Sequence, residues 1–130
     1  MSIVVGIKGR ADSAVTAENT AIAAGSGTLP VFATPHMIAL MEHSAVNALE
    51  PYLNEGESSV GTYLDVCHDS ATPVGMNVWA ECELTEVSGR FLTFSVVAYD
   101  DAGLIGKGTH KRCIVGVERF MNNAQKKKEG

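Results

Sequence analysis

One stretch of the chain, residues 34–53, carries a strong helical pattern of apolar positions. Projected at about 100° per residue, Pro35, Ile38, Ala39, Ala45, Val46 and Leu49 gather on one side, while His36, His43, Asn47 and Glu50 form a polar side. Thr34 is placed to cap the helix start, and Pro35 suits the first helical position because its missing N–H would have no partner there. Pro51 and residues 54–56 close the segment. Before it come two short strand-like runs, residues 3–7 and 15–23, and a flexible connection at 25–30. After it the pattern changes to strands: residues 59–69, 76–87, 90–99 and 106–120 are rich in Val and Thr and separated by turn signals at 72–75, 88–89 and 100–103. Connections this short favour antiparallel hairpins. The expectation is an α+β domain spanning residues 1–130, in which a strongly curved antiparallel sheet of about five or six strands wraps a long central helix. Residues 121–130, with the basic run Lys126-Lys127-Lys128, are expected to form a flexible tail.

Glu42 breaks the pattern. It falls on the apolar side of the helix, between Ile38 and Val46. Stripping water from a carboxylate costs several kcal/mol, so an acid set against a core must be paired, neutralised or put to use. That placement makes the chain read as an enzyme.

Composition narrows the alternatives. The net charge of −5 over 130 residues argues against broad nucleic-acid binding, which needs a basic surface to neutralise phosphates. Aromatic residues are few, so the core is expected to be built from Val, Ile, Leu, Met and Ala. Cys67, Cys82 and Cys113 are odd in number and widely spaced in apolar contexts, which reads as buried structural thiols in a reducing compartment. The opening residues 1–9 have too short an apolar run for a signal peptide, and nothing approaches the roughly 20 apolar residues of a membrane span. A cytoplasmic protein is expected.

His68 is the second informative position. Alternation along the strand puts it on one face with Leu64 and Val66, with Asp65 and Cys67 on the other. The apolar face should meet the helix, so His68 is expected to point toward the side that Glu42 occupies. The same alternation separates Cys67 from His68 and excludes a thiolate–imidazole pair. There is no Gly-x-Ser-x-Gly elbow and no phosphate-cradling Gly-x-Gly-x-x-Gly. His36, His43 and His110 lack companions at a metal-ligand spacing, so no metal site is expected. Gly61, near the start of the strand carrying His68, would permit close backbone approach by a ligand. Arg112 alternates with Cys113 and Val115, which puts it on the face away from the apolar one unless a bulge intervenes.

Several of these stretches occur together, in order. They are Val31-Phe32-Ala33-Thr34, Leu40-Met41-Glu42, Pro51-Tyr52-Leu53, Gly61-Thr62, His68 with Ala71-Thr72-Pro73, Gly108-Thr109-His110-Lys111-Arg112 and Glu118-Arg119-Phe120. Across residues 30–121 the chain resembles the hotdog-fold acyl-CoA thioesterases, specifically the fluoroacetyl-CoA thioesterase type. The resemblance implies a helix enclosed by an antiparallel sheet, a homodimer (with a tetramer as the alternative assembly) and an acyl-CoA substrate near the dimer interface. No cofactor beyond the CoA of the substrate is implied. Catalytic roles fall on Thr34, Glu42 and His68, a substrate-proximal glycine on Gly61 and a substrate-contacting arginine on Arg112.

One departure bears on selectivity. Residues 24–30, Ala-Gly-Ser-Gly-Thr-Leu-Pro, are small where the fluoroacetyl-selective type places aromatic residues over its acyl pocket, so that selectivity is not carried over. The expected reaction is hydrolysis of a short-chain acyl-CoA to free acid and CoA. Glu42 would serve as general base or nucleophile, with Thr34 and His68 assisting. A non-catalytic acyl-CoA-binding module and a hotdog-fold dehydratase are the competing classes.

Overall fold

A computed structural model describes residues 2–130, and Met1 lies outside the described residues. Five strands form one antiparallel sheet: β1 (Lys8–Ala14), β2 (Glu57–His68), β3 (Asn77–Ser88), β4 (Phe91–Asp100) and β5 (Gly103–Gly116), in the order β1-β3-β4-β5-β2. Helix α2 (Thr34–Leu49) packs across its inner face, preceded by the one-turn helix α1 (Ala21–Ala24). This is the expected α+β arrangement of a long helix held by a curled antiparallel sheet.

The core lies between α2 and the inward residues of the central strands. Met37, Met41, Ala45 and Leu49 meet Val78, Ala80, Leu84, Leu92, Phe94, Val96 and Ala98, all at or near zero exposure. Fully burying each large side chain of this set contributes about 1.5–3 kcal/mol. Gly9 of β1 lets the helix come close, because a Cβ there would lie 2.6 Å from the Ala48 Cβ and collide with the Ser44 carbonyl.

Three expectations need correction. The apolar runs at 3–7 and 15–23 are not the first strand; β1 is the polar segment between them. Only Ala11 is buried within it, and its ends are pinned by buried Ile7 and Val15. As an edge strand it gives one face to the helix and the other to solvent, so it needs few apolar residues. Residues 21–24 turn helical instead, capped by Thr20, whose hydroxyl accepts from the Ala23 N–H at 3.3 Å.

The last strand ends at Gly116, and Val117–Gln125 form a helix, α3, in place of the continuing strand and the expected tail. Cys113 and Val115 of β5 share a cleft with Phe120 and Asn123 of α3, so their apolar character belongs to the sheet's outer side.

The buried side of α2 is also rotated from the expected one. It comprises Met37, Leu40, Met41, Ser44, Ala45, Ala48 and Leu49, whereas Pro35, Ala39 and Val46 are exposed. Ser44 disguised it: its hydroxyl donates to the Met41 carbonyl at 2.6 Å, which satisfies it inside the helix and frees it from any need for water.

Candidate active site

The chain doubles back after α2, through a 3₁₀ turn at Glu50–Tyr52, and β2 returns alongside the helix. The start of β2 therefore lies near the helix end, its middle near mid-helix, and its last residue near the helix start. This hairpin-like geometry sorts the polar residues into two groups.

At the helix start, Thr34 Oγ1 lies 2.7 Å from His68 Nδ1. Thr34 does not cap α2. The N-cap is Ala33, and no side chain caps the first turn, so the Thr34 hydroxyl is committed to the imidazole. The other ring nitrogen, His68 Nε2, is shielded from solvent and has no hydrogen-bond partner among the described residues. A buried polar atom without a partner is costly, and such atoms gather where a ligand completes them. Thr34 and His68 line a cavity of about 340 Å³ whose wall includes Phe32 and Asp69 as well as the small Ala21, Ser26 and Ala71. Burial lowers the His68 pKa below its ordinary value, while the nearby Ser70 backbone and the charge of Asp69 pull it the other way. A neutral ring is favoured at neutral pH.

The second group sits at mid-helix. Glu42 Oε2 lies 3.7 Å from Arg112 Nη1, and the Glu42 side chain is 37% exposed. Arg112 is only 5% exposed, which corrects its expected place on the outer face. It projects inward with His110, two residues earlier on β5. Its Nε donates to Ser59 Oγ at 2.9 Å, its Nη2 to the Ser59 carbonyl at 3.0 Å and its Nη1 to His110 Nε2 at 3.1 Å. Gly61 lies beneath this group: a Cβ there would stand 2.6 Å from Glu42 Oε2 and 3.3 Å from His110 Cε1. The space left by the missing side chain is thus occupied by the carboxylate of Glu42.

No hydrogen bond or ion pair joins Glu42 to His68 among the described residues. The expected meeting of the two is corrected: each has found another partner, His68 with Thr34 and Glu42 with Arg112. Strand alternation gave the correct face for His68, since Leu64, Val66 and His68 are all more buried than Asp65 and Cys67. Position along the helix, which alternation does not report, separates them. Eight residues of helix put Glu42 about 12 Å beyond Thr34 along the axis.

Sequence reasoning missed His110 and Ser59. His110 enters the sequence reading only within the stretch 108–112 and as a histidine without metal-ligand companions, although its i, i+2 relation to Arg112 places both on one face of a strand. Cys67 was expected to be buried and is exposed; Cys82 and Cys113 are buried. Among the described residues, no three His, Cys, Asp or Glu side chains gather where a metal ion would sit, and no helix is long and apolar enough to cross a membrane.

Comparison with known proteins decides the family. The family model for fluoroacetyl-CoA-specific thioesterase, FlK, matches residues 15–118. The fluoroacetyl-CoA thioesterase of Streptantibioticus cattleyicolor is 44% identical over 97 residues, covering 75% of this chain and 70% of that one. The chain belongs to the fluoroacetyl-CoA-specific thioesterase family. A solved structure of the fluoroacetyl-CoA thioesterase FlK superposes with a TM-score of 0.92 at 36% identity, covering 98% of both chains. A thioesterase superfamily member from Thermus thermophilus gives 0.90 at 28% identity, covering 98% of this chain and 95% of that one. The hotdog fold and the thioester hydrolase class therefore hold for this member of the family. Of residues 24–30, whose side chains are small, Ser26 lines the cavity beside His68, which Phe32 also lines.

Proposed function

We propose that this chain hydrolyses short-chain acyl-CoA thioesters, and that each active site forms across a homodimer. The observation that carries the reading is the division of the polar residues into two incomplete groups. Thr34–His68 has an unpartnered imidazole nitrogen, and Asp69, the acid on that cavity, accepts from the Cys67 thiol and not from the ring. Glu42–Arg112 has a carboxylate partly open to solvent but no free imidazole for a leaving group.

The free edge of the sheet offers a way to unite them. Among the described residues β2 pairs only with β5, so its other edge is open for a second strand. The apolar residues Pro35, Ala39 and Val46 flank Glu42 on α2 and are exposed in the single chain. Antiparallel pairing of two β2 edges about a two-fold axis sends the His68 end of one strand toward the Gly61 end of the other. His68 of one protomer then approaches the partner's Glu42, and the uncovered apolar residues of both helices are buried with it.

In this arrangement the acyl group lies in the cavity at the helix start. The uncapped N–H groups of the first turn of α2 are available to the developing oxyanion, each such donor being worth about 3 kcal/mol in the transition state. Glu42 takes a proton from an attacking water, or attacks the acyl carbon itself to give an anhydride that water then resolves. With the Thr34 hydroxyl donating into Nδ1, Nε2 carries the N–H and hydrogen-bonds the departing CoA thiolate, whose own proton comes through Glu42 from the water consumed. Arg112 is buried away from solvent, so its part in substrate handling is exercised through Glu42. A cytoplasmic location agrees with the reduced thiols and the CoA substrate.

The test is thiol release from a panel of acetyl-, propionyl-, butyryl-, branched and aromatic acyl-CoA. The parent is expected to hydrolyse short chains, and Glu42→Gln and His68→Ala each to lower kcat/KM by roughly 100-fold or more. Saturable acyl-CoA binding without thiol release, or hydration of an enoyl-CoA in its place, would overturn the reading.

A further inference from the structure

We propose that His110 is a positioning residue for this hydrolysis, holding Arg112 and through it the Glu42 carboxylate, and that it does so only as the neutral imidazole protonated on Nδ1. The inference rests on the role assigned above to Glu42. His110 is fully buried on β5, its ring stacked on Phe94 of β4 at 6.5 Å between centroids. Its Nδ1 lies 2.9 Å from the Tyr63 carbonyl of β2, an acceptor only, so Nδ1 must carry the proton. Its Nε2 lies 3.1 Å from Arg112 Nη1, a donor only, so Nε2 must hold a lone pair. The two neighbours leave one tautomer and one charge state.

The charged groups facing the ring are Arg112 from its own strand and Glu42 from α2. Arg112 Nη1 serves both His110 and Glu42, while Nε and Nη2 are fixed on Ser59 of β2. The guanidinium is thus clamped at every nitrogen, and the carboxylate beside it inherits that position. Protonating His110 would remove the acceptor and set a second cation against Arg112. Burial is the main cause holding the His110 pKa below its ordinary value; Arg112 lowers it further, while the Tyr63 hydrogen bond and Glu42 oppose.

Two measurements test this. Nitrogen-15 correlation spectra of the parent should show the His110 ring neutral and protonated on Nδ1 at pH 7; an imidazolium or the Nε2–H tautomer overturns the proposal, whether or not any acyl-CoA is hydrolysed. His110→Phe keeps the stacked ring and removes the acceptor. It should lower kcat by roughly 10–100-fold with KM little changed, the scale of a carboxylate displaced by a fraction of an ångström. His110→Asn restores one donor and one acceptor, and should recover part of kcat while removing one ionisation from the acid limb of the pH–rate profile. Should His110→Phe not fold, Ser59→Ala, which frees Arg112 Nε, is read in its place and should lower kcat in the same direction. Unchanged kcat in a folded variant, with an active parent, overturns the proposal and leaves the hydrolase reading standing; an inactive parent fails that reading while the spectra still decide this one.

Discussion

Gly61→Ala isolates the role of the mid-helix group with one methyl. No positive φ is involved at Gly61, so alanine meets no backbone strain there, and the whole effect is steric. The added Cβ would stand 2.6 Å from Glu42 Oε2, where ordinary contact begins near 3.4 Å, so the carboxylate must retreat by ~0.8 Å (3.4 − 2.6). His110 Cε1 at 3.3 Å and Arg112 Nη1 at 3.5 Å are close to ordinary contact, and they block retreat in their directions. Glu42 is the end of a flexible, partly exposed side chain, so moving it costs little: about 1 kcal/mol or less, a few degrees in Tm for a domain of this size. Displacing a reacting group by about 1 Å, by contrast, is enough to cost about 100-fold in rate. The expected outcome is a large loss of kcat in a thiol-release assay with a nearly parental melting curve. Parental kcat in a folded Gly61→Ala protein would refute the claim that the position of Glu42 sets the rate. A melting point lowered by tens of degrees would show instead that Gly61 is needed for folding.

Thr34→Val removes the hydroxyl at constant shape. Because Thr34 caps nothing, the melting temperature should stay within a degree or two, while kcat falls by roughly tenfold as His68 loses its Nδ1 partner; both are read from melts and thiol release. Stability should depend on pH through His68 and His110, whose folded pKa values are depressed from 6.5. Below the ordinary value the unfolded chain binds more protons than the folded one, so stability falls as pH drops from about 6.5 toward the depressed values and is flat above; a Tm series across pH 5–8 checks the sign. Of the three thiols, exposed Cys67 should be alkylated rapidly in the native protein and Cys82 and Cys113 only on unfolding, which mass spectrometry resolves. Burial also raises the Cys82 pKa, disfavouring its thiolate. Gly9→Ala should destabilise severely or prevent folding, because its Cβ would meet the backbone of Ser44 rather than a mobile side chain.

How legible was this in the sequence? The order of long elements was, because a helix with a proline start and four Val- and Thr-rich strands separated by Gly and Pro turns leave little choice of architecture. The first strand was not, since an edge strand of composition Lys-Gly-Arg-Ala-Asp-Ser-Ala carries no alternation to read. Residues 117–125 failed for a related reason: the strand pattern of β5 runs into apolar residues that belong to an amphipathic helix. Glu42 stands out in the sequence as a carboxylate set against the core, whereas the face it lies on is one the single chain leaves partly uncovered. Arg112 reads as outward in the sequence because Cys113 and Val115 look like interior positions, when α3 lies beside them on the outside. The partners of His68 and Glu42 depend on how far along the helix each strand residue lies. That distance is set by the tight turn after α2, which no periodicity encodes.

The central claim is that the Thr34–His68 pair of one protomer works with the partner's Glu42. Mixed dimers test it directly. Glu42→Gln and His68→Ala proteins, each inactive alone, are unfolded together, refolded at equal amounts and assayed for thiol release. Random pairing makes half the dimers mixed, each with one intact site of two, so about a quarter of parental activity should return. If the mixture stays as inactive as its components while the parent refolds to full activity, Glu42 and His68 act within one chain and the composite site is wrong.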